Sequence, residues 1–206
     1  MEFTRRTFVA TGLASAGVAG LAGCLGGDEG IVLEGEDALP VPVAGDPDAD
    51  VTVMDFGDFS CPGCGSYKLQ IYPFIEESYV EPGLIRYEHR DFPIPAGDWS
   101  WAVAGSARSV QDREGDEAFW DFTSEIYTHL GEYSYERIET VASDLGFDGE
   151  GIRQDAQEGV YQDDLETERE RASDAGIGST PTIVVDGTEV ETSFEDIQEA
   201  IDDALE

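Results

Sequence analysis

Two of the three cysteines in this 206-residue chain stand three positions apart, in Cys61-Pro62-Gly63-Cys64. Two thiols at that spacing either pass electrons between dithiol and disulfide or offer soft ligands to a metal. Their neighbours favour the first use. Val51 to Phe56 is an apolar, β-branched run that reads as a buried strand. Gly57 and Asp58 break it, and beyond the cysteines Leu69, Tyr72, Ile75 and Tyr79 recur at roughly helical spacing. The pair therefore lies where a strand hands over to a helix. The first turn of a helix has unpaired N–H groups and the positive end of the macrodipole. Thiols placed there have pKa values of roughly 3.5–7.5, against about 8.5 for a free cysteine. Pro62 suits the first helical position, where its missing N–H costs nothing. Cys61 is the expected attacking thiol, and Cys64, about one turn on, the better shielded resolving thiol.

Asp55 lies six positions before Cys61 inside the apolar strand. A carboxyl there is poorly solvated and holds its proton more tightly than one in water. It is placed to take the proton of Cys64 as that thiol attacks a mixed disulfide. Asp58, nearer the pair, is expected to oppose a thiolate on Cys61. His89, at the end of a second strand, and His129, in a helical stretch, are titratable near neutrality; both are read as structural.

The stretch 51–64 resembles the active site of the thioredoxin superfamily, and within it the DsbA-like disulfide oxidoreductases. The lead-in Gly45-Asp46-Pro47-Asp48-Ala49-Asp50-Val51-Thr52 resembles that branch too, and family members carry an acidic residue at the position of Asp55. Pro62-Gly63 departs from the better-known dipeptides between the cysteines. Gly176-Ile177-Gly178-Ser179-Thr180-Pro181-Thr182-Ile183-Val184-Val185 resembles the superfamily's cis-proline loop. The resemblance implies that Pro181 packs against the cysteines. It also implies that the Thr180 backbone, with Pro62 and Gly63, receives a substrate chain as an added strand. The fold it implies is α/β and thioredoxin-like, with a helical insertion between the βαβ half and the ββα half.

Composition narrows the setting. Asp+Glu number 46 against Lys+Arg 11, a net charge of −35; Lys68 is the only lysine, and asparagine is absent. Ten phenylalanines and eight tyrosines argue against wholesale disorder. At about 1 M salt the Debye length is near 3 Å, so self-repulsion on such a surface largely disappears. The chain reads as built for molar salt, as in halophiles. No basic face is available for phosphate, which excludes nucleic acid as a partner.

Residues 1–23 read as a targeting segment. Thr4-Arg5-Arg6-Thr7-Phe8-Val9 resembles a twin-arginine export signal, and Leu21-Ala22-Gly23-Cys24 resembles a lipobox that would lipidate Cys24. Residues 24–45 read as an acidic, Gly/Pro-rich tether that lifts the active site well above the membrane. Residues 46–206 form the thioredoxin-like domain, with the insertion over about 98–175. Leu84 to His89 alternates as a strand. Asp186-Gly187 marks a hairpin turn, and Ser193 caps a last helix with Asp196 three residues on. Pro73 is expected to kink the helix after the cysteines.

These features point to an extracytoplasmic, lipid-anchored thiol–disulfide oxidoreductase that needs no cofactor beyond the Cys61–Cys64 disulfide and no metal. Its expected partners are the thiols and disulfides of exported proteins and a membrane redox partner. The oxidising direction is expected, with reductase or isomerase as the alternative. A lipid-anchored metal-binding module and a thioredoxin-fold scaffold without turnover are the readings from other classes. Against the metal module, no cysteine or histidine pair supplies the other half of a closed zinc site.

Overall fold

A computed structural model describes residues 30–94, 97 and 99–206. The expected export signal and Cys24 lie outside the described residues. A five-stranded mixed sheet runs β1-β3-β2-β4-β5. Its strands are β1 (Val43–Gly45), β2 (Thr52–Gly57), β3 (Arg86–Asp91), β4 (Thr182–Val185) and β5 (Thr188–Val190). β2 and β3 are parallel; the other three pairs are antiparallel. Asp186 (φ 46°) and Gly187 (φ 83°) make the β4–β5 turn, both in the left-handed region such a two-residue hairpin requires.

Strand alternation divides the chemistry between the two faces. Val53 and Asp55 of β2 lie on one face, with Tyr87, His89 and Asp91 of β3. The register sets Asp55 directly beside His89. Helix α1 (Pro62–Gln70), the short α2 (Tyr72–Ile75) and the last helix α8 (Phe194–Ala204) cover part of this face. There Val53, Tyr67, Tyr72, Ile75, Tyr87, Ile183, Ile197 and Ile201 form one core. Ile197 and Ile201 of α8 are fully buried, each stabilising the fold by about 1.5–3 kcal/mol. Ser193 starts α8 by accepting a hydrogen bond from the Asp196 N–H at 3.1 Å. The helix after the cysteines breaks at Ile71, just before Pro73, and continues through α2 into a π-helical stretch, Glu76–Val80.

Five helices separate β3 from β4: α3 (Ser100–Glu114), α4 (Asp116–Tyr127), α5 (Tyr135–Asp144), α6 (Gly149–Glu158) and α7 (Gln162–Asp174). Their core includes Phe119, Phe122, Ile126, Ile138, Ile152 and Leu165, and it runs on into Phe59, Cys61 and Cys64. The aromatic residues around Trp120 on α4 thus pack behind the cysteine pair.

The tether expected over 24–45 is a correction. From Gly30 onward the chain is docked. The Ile31 N–H bonds to the Gly187 carbonyl at 2.6 Å, and Ile31 and Leu33 pack on a core of Phe56, Phe92, Ala172, Ile177 and Val184. Asp37 bridges Arg90 and Arg171, each at 2.7 Å. The Ala38 N–H bonds to Glu168 at 2.6 Å. Arg86, Glu88 and Arg90 project from β3 on the face opposite His89, and the segment closes over that charged row. A chain rich in Gly, Asp and Glu is held here by two apolar side chains and one shared carboxylate. The folded unit therefore begins before residue 46. Among the described residues no helix is long and apolar enough to cross a membrane.

Candidate active site

Cys61 is the N-cap of α1, in an extended conformation (φ −81°, ψ 120°), with Pro62 following in the first turn. No acidic residue stands in that first turn. The Cys61 N–H donates to the Asp58 carbonyl at 3.0 Å, and the Cys61 carbonyl accepts from the Gly65 N–H at 3.1 Å. These two bonds fix the corner between β2 and α1. Cys61 keeps 9% of its surface, while Pro62 and Gly63 beside it are exposed. The Cys61 thiol donates to the carbonyl of Thr180 at 3.3 Å. The Thr180–Pro181 bond is cis. A side chain added at Gly63 would meet Pro181 Cδ at 2.9 Å and Cys61 Sγ at 3.6 Å, so the proline ring lies against the cysteine turn.

Cys64 is 3% exposed. Burial, with the Asp55 charge next in effect, pushes its thiol well above the ordinary range. In the reduced protein Cys64 keeps its proton. Its sulfur accepts the Asp58 N–H at 3.4 Å. Both cysteines are free thiols in this structure. The two sulfurs are thus unequal in the sense the sequence suggests: one at the cap beside an open backbone, one sealed behind it.

The acidic residues differ from expectation. The Asp58 carboxylate is turned inward, accepting from the Ser60 N–H (2.6 Å), the Ile94 N–H (2.7 Å) and the Ser100 hydroxyl (2.9 Å). Burial raises its pKa in spite of those three bonds. Its work is to pin the loop after β3 to the cysteine turn. Asp55 is 7% exposed, and it is not alone: His89 Nδ1 lies 3.5 Å from its Oδ2. On the other side of the ring, His89 Nε2 lies 3.5 Å from Asp91 Oδ1. Asp91 accepts from Arg108 Nε at 2.6 Å and pairs with Nη2 at 2.5 Å. Burial lowers the His89 pKa, but the two aspartates outweigh it and the net direction is upward.

Sequence reasoning missed this row. A strand such as Arg86-Tyr87-Glu88-His89-Arg90-Asp91, with ionisable residues on both faces, must pair them all when it is buried, and that signal was available. Sequence reasoning also missed Lys68, one turn beyond Cys64 on α1. Its ammonium is 3.8 Å from the Tyr72 ring centre and 4.6 Å from that of Trp120. His129 lies away from this row, its Nε2 3.7 Å from Glu125 on the surface of α4.

A strand-to-helix corner carrying two thiols, with a cis-proline loop packed on it, is an arrangement suited to thiol–disulfide exchange. The thioredoxin family model matches residues 38–203, and the chain belongs to that family. It is a thiol–disulfide oxidoreductase. Among its relatives is a Bacillus cereus protein named "Probable disulfide bond formation protein D", 27% identical over 172 residues, which cover 78% of this chain and 77% of the relative. The fold is similar to the crystal structure of oxidised BdbD from Bacillus subtilis, with TM-score 0.74 and 23% identity over 80% of this chain and 92% of that one. It is also similar to DsbA of Chlamydia trachomatis, with TM-score 0.72 and 21% identity over 79% and 90%.

Proposed function

We propose that this chain oxidises the thiols of exported proteins through Cys61-Pro-Gly-Cys64. A client thiolate attacks Cys61 Sγ of the enzyme disulfide. The Cys61–Cys64 bond breaks, Cys64 leaves with the electron pair and takes up a proton, and a mixed disulfide joins client to Cys61. The client's second thiolate then attacks its own sulfur in that bond, Cys61 leaves, and the enzyme departs reduced by two electrons. The inequality of the two sulfurs carries this reading. Cys61 is reached past the exposed Pro62 and Gly63 and lies beside the Thr180 carbonyl, whereas buried Cys64 holds its proton once released. The Thr180 backbone offers an edge along which a client strand can pair. The relative's name, which speaks of disulfide bond formation, supports the oxidising direction. An equilibrium titration of the Cys61–Cys64 couple against glutathione tests it. A potential well above about −270 mV is expected, and a value at that thioredoxin-like level would instead favour a reductase.

The same proposal places the domain outside the cell membrane, exported by the twin-arginine signal, anchored at Cys24 and recycled by a membrane redox partner. Docking from Gly30 changes the geometry of that anchor. Six residue steps separate Cys24 from Gly30, at most about 20 Å of chain. Gly30 meets Gly187 at the β4–β5 turn, the end of the sheet opposite the one from which β2 delivers Cys61. A short leash at that end turns the cysteines outward, away from the lipid. Release of the Cys24→Ser variant into the soluble fraction is expected, and its retention on membranes would count against the anchor.

A further inference from the structure

Helix α3 carries a glycine that its backbone does not require. Gly105 is buried inside this 15-residue helix, away from either end, where glycine is a poorer helix former than alanine. Tight packing is the common reason for such a residue. Here a Cβ built on Gly105 meets nothing within 4 Å. The space over it belongs to a cavity of about 210 Å³ where α3, α5, α6 and the start of α7 meet. Three aromatic residues from three parts of the chain line that cavity: Trp101, one turn before Gly105 on α3, Tyr135 at the start of α5, and Tyr161 just ahead of α7. Two of them are held in place. The Tyr161 hydroxyl donates to Asp112 at 3.2 Å, and Tyr135 packs edge-on against Trp99, with ring centres 5.0 Å apart. The last turn of α6 closes the lining. Gly159, in the left-handed region (φ 65°), and Val160 both donate to the Asp155 carbonyl. Among the described residues no backbone N–H bonds to the carbonyls of Ala156, Gln157 or Glu158, the last residues of the helix and part of the lining. Such a turn is the negative end of its helix. The lining includes the Glu158 carboxylate and contains no lysine or arginine.

We propose that this cavity binds a small quaternary ammonium group, its methyl groups against Trp101, Tyr135 and Tyr161 and its charge towards the end of α6. Aromatic faces attract a cation that comes within about 6 Å of the ring centre, and tryptophan does so best. The class of cation follows from the walls. A hard metal ion takes a full shell of oxygens, which three rings and a glycine do not offer. A primary ammonium brings three N–H donors that each need an acceptor once out of water. A methylated ammonium has no donor to satisfy and presents an apolar surface with a positive charge beneath it. Rings on one side and free carbonyls with a carboxylate on the other match both properties. Gly105 keeps the room that any side chain at that position would fill. The site is distinct from the cysteine pair: Tyr135 lines this cavity, whereas its contact Trp99 lines a separate cleft beside Ser60 and Pro62. The inference therefore stands independently of the direction of thiol exchange.

Choline is the probe. It is titrated into the full chain in place of sodium at constant chloride, and binding is read by calorimetry and by Tm. Saturable binding is expected, with Tm rising as choline rises. Dimethylbutanol, the uncharged carbon isostere of choline, should bind roughly tenfold more weakly. Gly105→Leu should abolish the choline response while leaving Tm in sodium chloride unchanged or higher, since leucine is the better helix former and the space is open. Its oxidation of a dithiol peptide should match wild type. Should that variant fold poorly, Trp101→Leu decides, with choline binding weakened roughly two- to thirtyfold. No difference between choline and sodium in wild type overturns the inference. Equal binding of choline and dimethylbutanol overturns it too, because the cavity is then an apolar hole rather than a cation site. Choline binding that persists undiminished in both Gly105→Leu and Trp101→Leu places the cation elsewhere and likewise overturns it.

Discussion

Replacing Lys68 by methionine should make the protein more stable. Lys68 is 6% exposed, and its ammonium has no hydrogen-bond partner among the described residues. Burial pulls its pKa from 10.5 down to about 8, against the opposing pull of Glu76, Asp55 and Asp121. At about 1.4 kcal/mol per pH unit, that displacement costs the folded state about 3 kcal/mol at pH 7. The contacts with the Tyr72 and Trp120 rings offset about 1–2 kcal/mol of it. Methionine fills nearly the same space without the charge, so Lys68→Met should gain about 1–2 kcal/mol at pH 7. The gain has a pH signature. Below pH 8 both folded and unfolded chains carry the charge and the full cost stands. Between about 8 and 10.5 the folded chain has released the proton and the unfolded chain has not, so wild type recovers while Lys68→Met has nothing to recover. Buried Tyr67, Tyr87 and Tyr127, all raised well above the usual tyrosine range by burial, lose stability as pH climbs past 10. They do so in both proteins and cancel in the difference. Urea unfolding by far-ultraviolet circular dichroism in molar salt, from pH 7 to 9.5, gives that difference directly. A Lys68→Met protein less stable than wild type, by an amount independent of pH, would refute the burial argument and make the aromatic contact the dominant effect.

Three further outcomes follow from the geometry. Gly63→Val should push the Pro181 ring away from the cysteine turn, because an added Cβ meets Pro181 Cδ at 2.9 Å; steady-state oxidation of a dithiol peptide should show KM rising several-fold, and an unaltered KM would mean the loop yields freely. Asp37→Ala removes the carboxylate shared by Arg90 and Arg171. Burial raises the Asp37 pKa, but the two arginines outweigh it and the net direction is downward. For this part-exposed group a loss of about 1 kcal/mol is expected at neutral pH, shrinking as pH falls below about 4, where the unfolded carboxyl takes up its proton before the folded one does; a difference that does not change with pH would show the effect is packing. Deleting residues 30–41 uncovers Phe56 and Phe92 and frees Arg108 from Pro40; it should lower Tm, and an unchanged Tm would return this segment to the status of a loose tether.

What the sequence announced, it announced locally. The Cys61–Cys64 corner, the Asp186-Gly187 turn and the Ser193 cap each depend on a few adjacent residues whose conformational preferences are strong. The neighbours of Asp55 are another matter. It meets His89 through the parallel pairing of β2 with β3, whose register is settled across a whole intervening helix. A reader of the chain sees a carboxyl in an apolar run and a histidine at a strand end, with nothing adjacent to link them. The docked segment was concealed for a different reason. Its Gly, Asp and Glu content drew attention away from Ile31 and Leu33, which bury against Phe56 and Val184.

The net charge of −35 suggested a surface argument, and it held a second clue. In a chain with so few cations, each one's location carries information. Of the nine described lysines and arginines, only Arg113 counts as exposed, and it too is paired, with Asp155 at 2.7 Å. Arg108, Lys68 and His89 lie inside at 3, 6 and 4% exposure, and Arg90 and Arg171 meet at Asp37. Surface carboxylates need no partner once salt screens them, because the Debye length falls to about 3 Å near 1 M. Buried carboxylates are screened far less, and Asp55, Asp91, Glu88 and Glu168 each have a basic side chain beside them. Arg86, Arg90, Arg108, Arg171 and His89 gather around those four, while Arg113 and Arg153 pair with carboxylates nearer the surface. In a chain with so many carboxylates and so few cations, those five basic side chains are spent on pairing the inside.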